Sequence, residues 1–325
     1  MARVTVLGAG AWGTALALQA ARAGQDVVLW ARDPARSAAI DAARENARYL
    51  PGVALPAGLA VTADLAAALV GAEVAILALP AQHLRRLLAG LPAAPPLVVA
   101  AKGVERDTLC LPLEVVGAVL PDVAAAVLSG PNFAHEVAAG LPAAAVIASV
   151  DPALRGRLGA WLATPSFRLY GSDDPLGVQV GGAAKNVIAI AAGAVIGAGL
   201  GENARAALVT RGVAELSRLT VALGGRPETA AGLSGLGDLL LTASGTASRN
   251  TSLGIALGRG RDLAAVLAER VGVTEGVATA PALVARAAAA GVELPICAAV
   301  ADLLAGGVTV AEAMGRLLAR PRRDE

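Results

Sequence analysis

Cysteine and aromatic residues are scarce in this chain of 325 residues: two cysteines, three tryptophans, two tyrosines and two phenylalanines. Cys110 and Cys297 are far apart and lack the spacing of metal ligands, so they read as small buried hydrophobes of a protein in a reducing cytoplasm. An excess of charge is missing too. The formal net charge is +1, and with no basic cluster before the exposed arginine-rich tail at 320–323 nothing points to nucleic acid. The apolar composition with so few aromatics invites a membrane reading, which run length opposes. The longest candidate, 187–201, is rich in alanine and glycine, follows Lys185 and Asn186, and is shorter than the roughly 20 residues a span needs. A buried helix of a soluble protein is the expectation. The N-terminal apolar run is too short for a signal peptide and leads straight into a glycine motif. Length alone calls for two domains.

What the chain does possess is the stretch VTVLGAGAWG at 4–13, a β-branched apolar run that enters Gly8, Gly10 and Gly13 with G-x-G-x-x-G spacing. A helix over 12–22 and a strand over 26–30 are predicted to follow. In that setting each glycine has its own task. Gly8 permits the tight turn, Gly10 admits a pyrophosphate to the backbone, and Gly13 lets the helix lie on the strand. The anion would rest on the helix N-terminus, where free N–H groups and the macrodipole favour negative charge by roughly 0.3–1 kcal/mol. The second strand ends at Ala31, Arg32 and Asp33, where the adenosine ribose of a dinucleotide belongs. An acid there would bind the ribose 2′-OH and an arginine would pair with a 2′-phosphate, so Arg32 favours NADPH while Asp33 keeps NADH open.

Short apolar strands alternate with helices through the first half: strands at 60–62, 73–79, 97–100, 124–128, 143–149 and 167–170, with helices over 35–43 and from 64 and 151. This pattern predicts a doubly wound, mostly parallel α/β sheet for residues 1–175. Beyond a break near 171–180 the periodicity is helical throughout, predicting an all-α domain over 176–325. Ligands of open α/β sheets bind beyond the carboxyl ends of the strands, which makes Lys102, following the strand at 97–100, a site candidate. The turn from Ser129 to Glu136 opens a helix whose N–H groups suit an anion or a carbonyl, with Asn132 as its cap. His83, alone at the start of a helix, reads as a surface or capping residue.

In the second half, Lys185 stands at the head of an otherwise apolar helix. Desolvation lowers the pKa of an ammonium group and fits it for proton exchange; a lysine snorkelling to solvent is the alternative. Asp238 supplies a carboxylate in a glycine-rich turn. Ser248-Arg249-Asn250 combines a guanidinium fork with two small polar donors, the combination a phosphate requires, although an exposed polar loop has the same composition. Residues 273–276 form another polar interruption to which periodicity assigns nothing.

Taken together, GAGAWGTALA, the Lys102-Gly103 pair, SGPNFAHE, GGAAKNVIAIAAG, GLGDLLLT, SRN and TEG occur in the order seen in bacterial-type NAD(P)-dependent glycerol-3-phosphate dehydrogenase, and the chain resembles that family over nearly its whole length. The resemblance implies reversible reduction of dihydroxyacetone phosphate to sn-glycerol 3-phosphate for glycerophospholipid synthesis, by a cytoplasmic enzyme acting as a homodimer. It implies Lys185 as proton donor and acceptor, with Lys102, Gly130, Asn132, Asp238, Ser248, Arg249 and Asn250 around the substrate. Alongside Gly8, Gly10 and Gly13, it implies cofactor contacts from Ala11, Trp12, Arg32, Lys102, Ala134, Arg249, Val273 and Glu275. Two positions depart from the family pattern: Ala11 stands where serine is common, and Asn132 where serine or threonine is. Each loses or replaces a hydroxyl contact but keeps the backbone amides, so affinity should change while activity remains. A related two-domain dehydrogenase of a hydroxy acid or acyl thioester is opposed by Arg249, which suits a phosphate. A catalytically silent nucleotide-binding regulator is opposed by Lys185.

Overall fold

The structure, a computed structural model, describes residues 1–321. The chain divides into two compact units: Met1–Lys102 with Cys110–Gln179, and Gly103–Leu109 with the residues from Val180 onward.

The first unit is built on eight strands: β1 (Arg3–Leu7), β2 (Asp26–Trp30), β3 (Ala60–Thr62), β4 (Val74–Leu77), β5 (Leu97–Val99), β6 (Ala125–Ser129), β7 (Ala143–Ala148) and β8 (Phe167–Ser172). They lie in the order β3-β2-β1-β4-β5-β6-β7-β8, parallel except that β7 runs antiparallel to β6. The order reverses between β1 and β4, which makes their carboxyl ends the switch point where a ligand crevice forms. Helices α1 (Ala11–Arg22), α2 (Pro34–Ala43), α3 (Leu65–Leu69), α4 (Leu84–Ala89), α5 (Pro112–Val119), α6 (Ala134–Ala139) and α7 (Pro152–Leu162) cover the sheet.

The central strands β4 and β5 are apolar and buried at every position because both faces of the sheet are covered there. Val74 and Ile76 of β4 join the core formed with α1, α6 and α7, while Ala75 and Leu77 join the one formed with α4 and α5. Leu16, Leu29, Ile76, Leu77, Leu84 and Leu97 are fully buried, at about 1.5–3 kcal/mol each relative to exposure. Asp33, Asp64 and Asp151 cap α2, α3 and α7 by accepting first-turn N–H groups, and Pro34 and Pro152 follow two of them at a position that needs no N–H donor.

The second unit is helical: the later part of α8 (Pro175–Gly197), then α9 (Gly201–Ala222), α10 (Pro227–Ala231), a π-turn at Leu233–Gly237, α11 (Asp238–Ala243), α12 (Arg249–Gly258), α13 (Leu263–Ala268), α14 (Glu275–Ala289), α15 (Pro295–Leu304) and α16 (Val310–Leu318). Helices α8 and α12 cross glycine on glycine. A Cβ on Gly193 or Gly197 would overlap the carbonyl oxygen of Thr251 or Ile255, and one on Gly254 or Gly258 that of Ile190 or Ala194. On another side, the buried Glu215 of α9 accepts the Ile296 and Cys297 N–H groups at 2.6 and 3.2 Å, capping α15.

Several elements differ from the sequence expectation. The break expected between 175 and 176 falls inside α8, and residues 103–109 group with the second unit. Helix α8 begins upstream of the apolar run and is 23 residues long, so length does not separate it from a membrane span. What marks it as a core helix is that 89% of its most apolar window is buried within the protein. Helix α5 carries no polar N-cap in the sequence to announce it: Leu111 occupies that position, with the Glu114 carboxylate accepting its N–H. Asn132 does not cap α6, whose first turn has no side-chain cap. Cys110 is half-buried and Cys297 buried. Of the tail at 320–323, residues 322 and 323 lie outside the described residues.

Candidate active site

In the first unit the glycine loop joins β1 to α1 at the switch point. Gly8 has φ +121°, and a Cβ there would lie 2.5 Å from the Ala78 carbonyl oxygen beyond β4. At Gly13 a Cβ would overlap the Gly8 carbonyl. Both glycines are thus required by the packing of the protein itself. Gly10 is different. Its backbone is extended, φ −79° and ψ −178°, and its Cβ would meet nothing within 4 Å. Neither conformation nor packing excludes a side chain at Gly10, so the open space beside it is room for a ligand. Gly10 is also the N-cap of α1, with no side-chain hydrogen bond and no acidic residue in the first turn. The uncapped N–H groups and open space fit a dinucleotide pyrophosphate. Ala11 and Trp12 stand in that first turn.

The neighbouring strand ends complete this side. After β2, the Asp33 carboxylate accepts the Ala35 and Arg36 N–H groups at 3.0 and 3.3 Å, so it is committed to capping α2. Arg32 is exposed, and its guanidinium makes no hydrogen bond or ion pair among the described residues. After β5, Lys102 Nζ donates to the Gly130 carbonyl at 3.2 Å, which brings these two candidates together. Gly130, after β6, has φ +140°, and a Cβ would lie 3.0 Å from Ala145 Cα. Asn132 Nδ2 donates to the Ala144 carbonyl at 3.1 Å, and its buried Oδ1 has no partner. Ala134 begins α6.

In the second unit the candidates converge from α8, α11, α12 and α14. Lys185 Nζ lies 3.0 Å from Asp238 Oδ1 and donates to Thr242 Oγ1 at 2.9 Å. Asp238 and Lys185 are 1% and 8% exposed, a degree of burial that two charges sustain only as a pair. Burial of the ammonium group is therefore answered by a carboxylate, and desolvation does not act on it alone. Asp238 lies not in a loop but on the first turn of α11, delivered by the π-turn; such bulges recur at functional sites.

Ser248 is the N-cap of α12 and accepts the Thr251 N–H at 3.3 Å. Its triplet is a helix start, not a polar loop. Arg249 is exposed and its side chain has no hydrogen-bond partner among the described residues. Asn250 is buried: its Nδ2 donates to Asn186 Oδ1 at 2.8 Å and its Oδ1 accepts the Gly276 N–H at 3.1 Å. That amide ties α8, α12 and α14 together, leaving one Nδ2 hydrogen for a ligand. Glu275 begins α14, half-buried, and Val273 lies exposed on the loop before it.

Three residues join these sites without having been singled out. Asn46, 1% exposed, donates through Nδ2 to the Ala9 carbonyl at 3.0 Å and to Thr14 Oγ1 at 2.7 Å. The Arg36 guanidinium also bonds the Ala9 carbonyl and lies 4.7 Å over the Tyr49 ring. Together they fix the glycine loop from beneath. Nothing local in the sequence marks them, since both partners are remote. Thr242 is different: it lies one helical turn after Asp238, on the same face of α11, a spacing visible in the sequence.

Residues 3–155 match the family model described as the N-terminus of NAD-dependent glycerol-3-phosphate dehydrogenase, and residues 174–315 that of its C-terminus. The chain is 57% identical to glycerol-3-phosphate dehydrogenase [NAD(P)+] of Acidiphilium cryptum, covering 98% of this chain and 97% of the relative. It is 54% identical to that of Rhodospirillum rubrum, covering 99% and 93%. The crystal structure of the Coxiella burnetii glycerol-3-phosphate dehydrogenase superposes with a TM-score of 0.94 at 37% identity, covering 98% of this chain and 99% of that one. A ketopantoate reductase from Ralstonia eutropha shares the fold alone, with a TM-score of 0.61 at 18% identity over 96% and 99% of the two chains. With both halves of the chain matched, with a glycine loop shaped for a dinucleotide, and with these relatives aligned end to end, the chain belongs to the NAD(P)-dependent glycerol-3-phosphate dehydrogenase family of oxidoreductases.

Proposed function

We propose that Lys185 is the proton donor and acceptor in the reversible reduction of dihydroxyacetone phosphate to sn-glycerol 3-phosphate. The observation that carries this reading is the buried Lys185–Asp238 pair, braced by Thr242, in the same helical unit as the uncommitted Arg249. A bound reduced nicotinamide supplies the hydride that the ketone carbon receives. Lys185 offsets the charge that develops on the carbonyl oxygen and passes it a proton, giving the alcohol. Asp238 and Thr242 orient the ammonium group. Arg249 receives the substrate phosphate, helped by the Ser248 hydroxyl and the remaining Asn250 hydrogen, with Lys102, Gly130 and Asn132 as further substrate contacts.

On the cofactor side, Gly8, Gly10, Ala11, Trp12 and Gly13 hold the pyrophosphate segment and Arg32 pairs with a 2′-phosphate, so that NADPH is preferred and NADH accepted. Lys102, Ala134, Arg249, Val273 and Glu275 make the remaining contacts in this reading. The departures at Ala11 and Asn132 alter affinity, since each replaces a hydroxyl. The same proposal has the enzyme working as a cytoplasmic homodimer and supplying the glycerol backbone of phospholipids. Lys185→Ala tests it. NADPH binding, followed by fluorescence, should persist while turnover falls by at least about 10²–10⁴-fold. Near-normal turnover would remove Lys185 from the chemistry.

A further inference from the structure

Arg270, on the segment after α13, is a cation to which the reaction as described assigns no part. Its Nη1 donates to the Arg249 carbonyl at 2.7 Å and to Ser252 Oγ at 3.1 Å. The Ser252 hydroxyl in turn donates to that same carbonyl at 3.2 Å. This triangle uses both Nη1 hydrogens and fixes the plane of the guanidinium against the first turn of α12. The Nε–H and Nη2 edge, the side of the fork that matches two oxygens of one anion, has no hydrogen-bond partner among the described residues. Burial pushes the Arg270 guanidinium down from its usual value, and the charge of Arg249 adds to this, followed by that of Arg261, with Glu269 opposing. Glu269 is itself bonded by Arg261. Two guanidinium groups are thus held within each other's field, one of them locked in orientation, and neither side chain has a carboxylate bonded to it. Such an arrangement is unfavourable alone and is relieved by an anion carrying two charges.

We propose that Arg270 and Arg249 form a two-cation clamp for a phosphate group, in which Arg249 is the adaptable arm and Arg270 the fixed one. The proposal rests on the assignment of Arg249 to phosphate binding given above. The triose substrate and the pyrophosphate of the nicotinamide cofactor both offer the required chemistry.

The test compares Arg270→Gln, Arg270→Lys and Arg249→Ala with the unaltered enzyme, measuring KM for dihydroxyacetone phosphate, NADPH and NADH, inhibition by inorganic phosphate, and Tm. Loss of the clamp in Arg270→Gln should raise one KM by about 10–100-fold, the effect of one charge-assisted bond, with Tm and kcat much less changed, and should weaken phosphate inhibition. Arg270→Lys should recover part of the loss. A rise confined to dihydroxyacetone phosphate assigns the clamp to the substrate, and an equal rise for NADPH and NADH assigns it to the cofactor pyrophosphate. Unchanged KM values and phosphate inhibition in Arg270→Gln would overturn the clamp, as would a lowered Tm with every parameter impaired alike, which marks a structural strut. If Arg249→Ala is impaired while Arg270→Gln is normal, only the clamp fails; if Arg249→Ala is itself normal, the phosphate assignment of Arg249 fails with it.

Discussion

Replacing Gly254 by alanine tests how the helical unit sets its own active-site geometry. A Cβ at this position would lie 2.8 Å from Ala194 N and 2.9 Å from Gly193 Cα, besides overlapping the Ile190 carbonyl oxygen. Since non-bonded carbon contacts settle at about 3.5–4.0 Å, helices α8 and α12 must part by about 1 Å. The obstacle is backbone on backbone, so no rotamer change relieves it. Overpacking of this kind costs about 1–3 kcal/mol, against the roughly 0.5–1 kcal/mol that alanine gains over glycine in a helix. Gly156→Ala provides the control. It lies on the exposed side of α7, a Cβ there meets nothing within 4 Å, and the same propensity gain should appear unopposed as a higher Tm.

The consequences for activity arise because α12 carries Ser248, Arg249 and Asn250 at its start, while α8 carries Lys185 and Asn186. Parting the helices lengthens the 2.8 Å bond from Asn250 to Asn186 and moves the residues proposed to bind phosphate away from the proposed proton donor Lys185. A misplacement of about 1 Å can cost about 10²-fold in rate. Gly254→Ala should therefore lower both Tm and kcat/KM for dihydroxyacetone phosphate, read by NADPH absorbance, while Gly156→Ala leaves activity untouched. A Gly254→Ala enzyme with unaltered Tm and kcat/KM would refute the close crossing and the positional role derived from it.

Arg32→Gln should raise KM for NADPH by about 10-fold or more and leave that for NADH nearly constant; equal losses with both cofactors would make Arg32 structural. Glu215 predicts a pH dependence of stability. Burial pushes its carboxyl up from the usual value, against the opposing bonds from Ile296 and Cys297 and the Arg218 charge. The folded state therefore keeps this proton to a higher pH than the unfolded chain does. Its contribution is full below the unfolded value of about 4.3 and declines as pH rises from there through the folded value. Glu215→Gln should flatten that part of the stability profile, measured by denaturant titration across pH, and cost about 1–3 kcal/mol because one capping N–H then faces an amide donor. Identical pH profiles for the two proteins would discard this account.

The sequence by itself determined the first unit almost entirely. Strands covered on both faces must be apolar throughout, as in β4 and β5, and an aspartate before a helix can cap its first turn, as Asp33, Asp64 and Asp151 do, although α1, α5 and α6 start without such a cap; both rules act over a few residues. The motifs carrying Lys185 and Arg249 were equally legible as residues. Only the tertiary structure decided what surrounds them. Asp33 and Arg32 compete for the same reading until one is seen capping α2 and the other uncommitted. Lys185 at the head of an apolar helix is ambiguous between a snorkelling lysine and a buried acid until Asp238 is found beside it. The triplet Ser248-Arg249-Asn250 reads equally as a phosphate site and as an exposed polar loop until Ser248 is seen to cap α12 and Asn250 to be buried. The physical reason is common to all three: the state of a charged or polar side chain depends on partners within a few ångströms, and those partners are often remote in the chain, placed by packing that no local pattern records. The glycine crossing of α8 and α12 shows the same division, since the small residues are visible in the sequence while their mutual contact exists only once the helices have met.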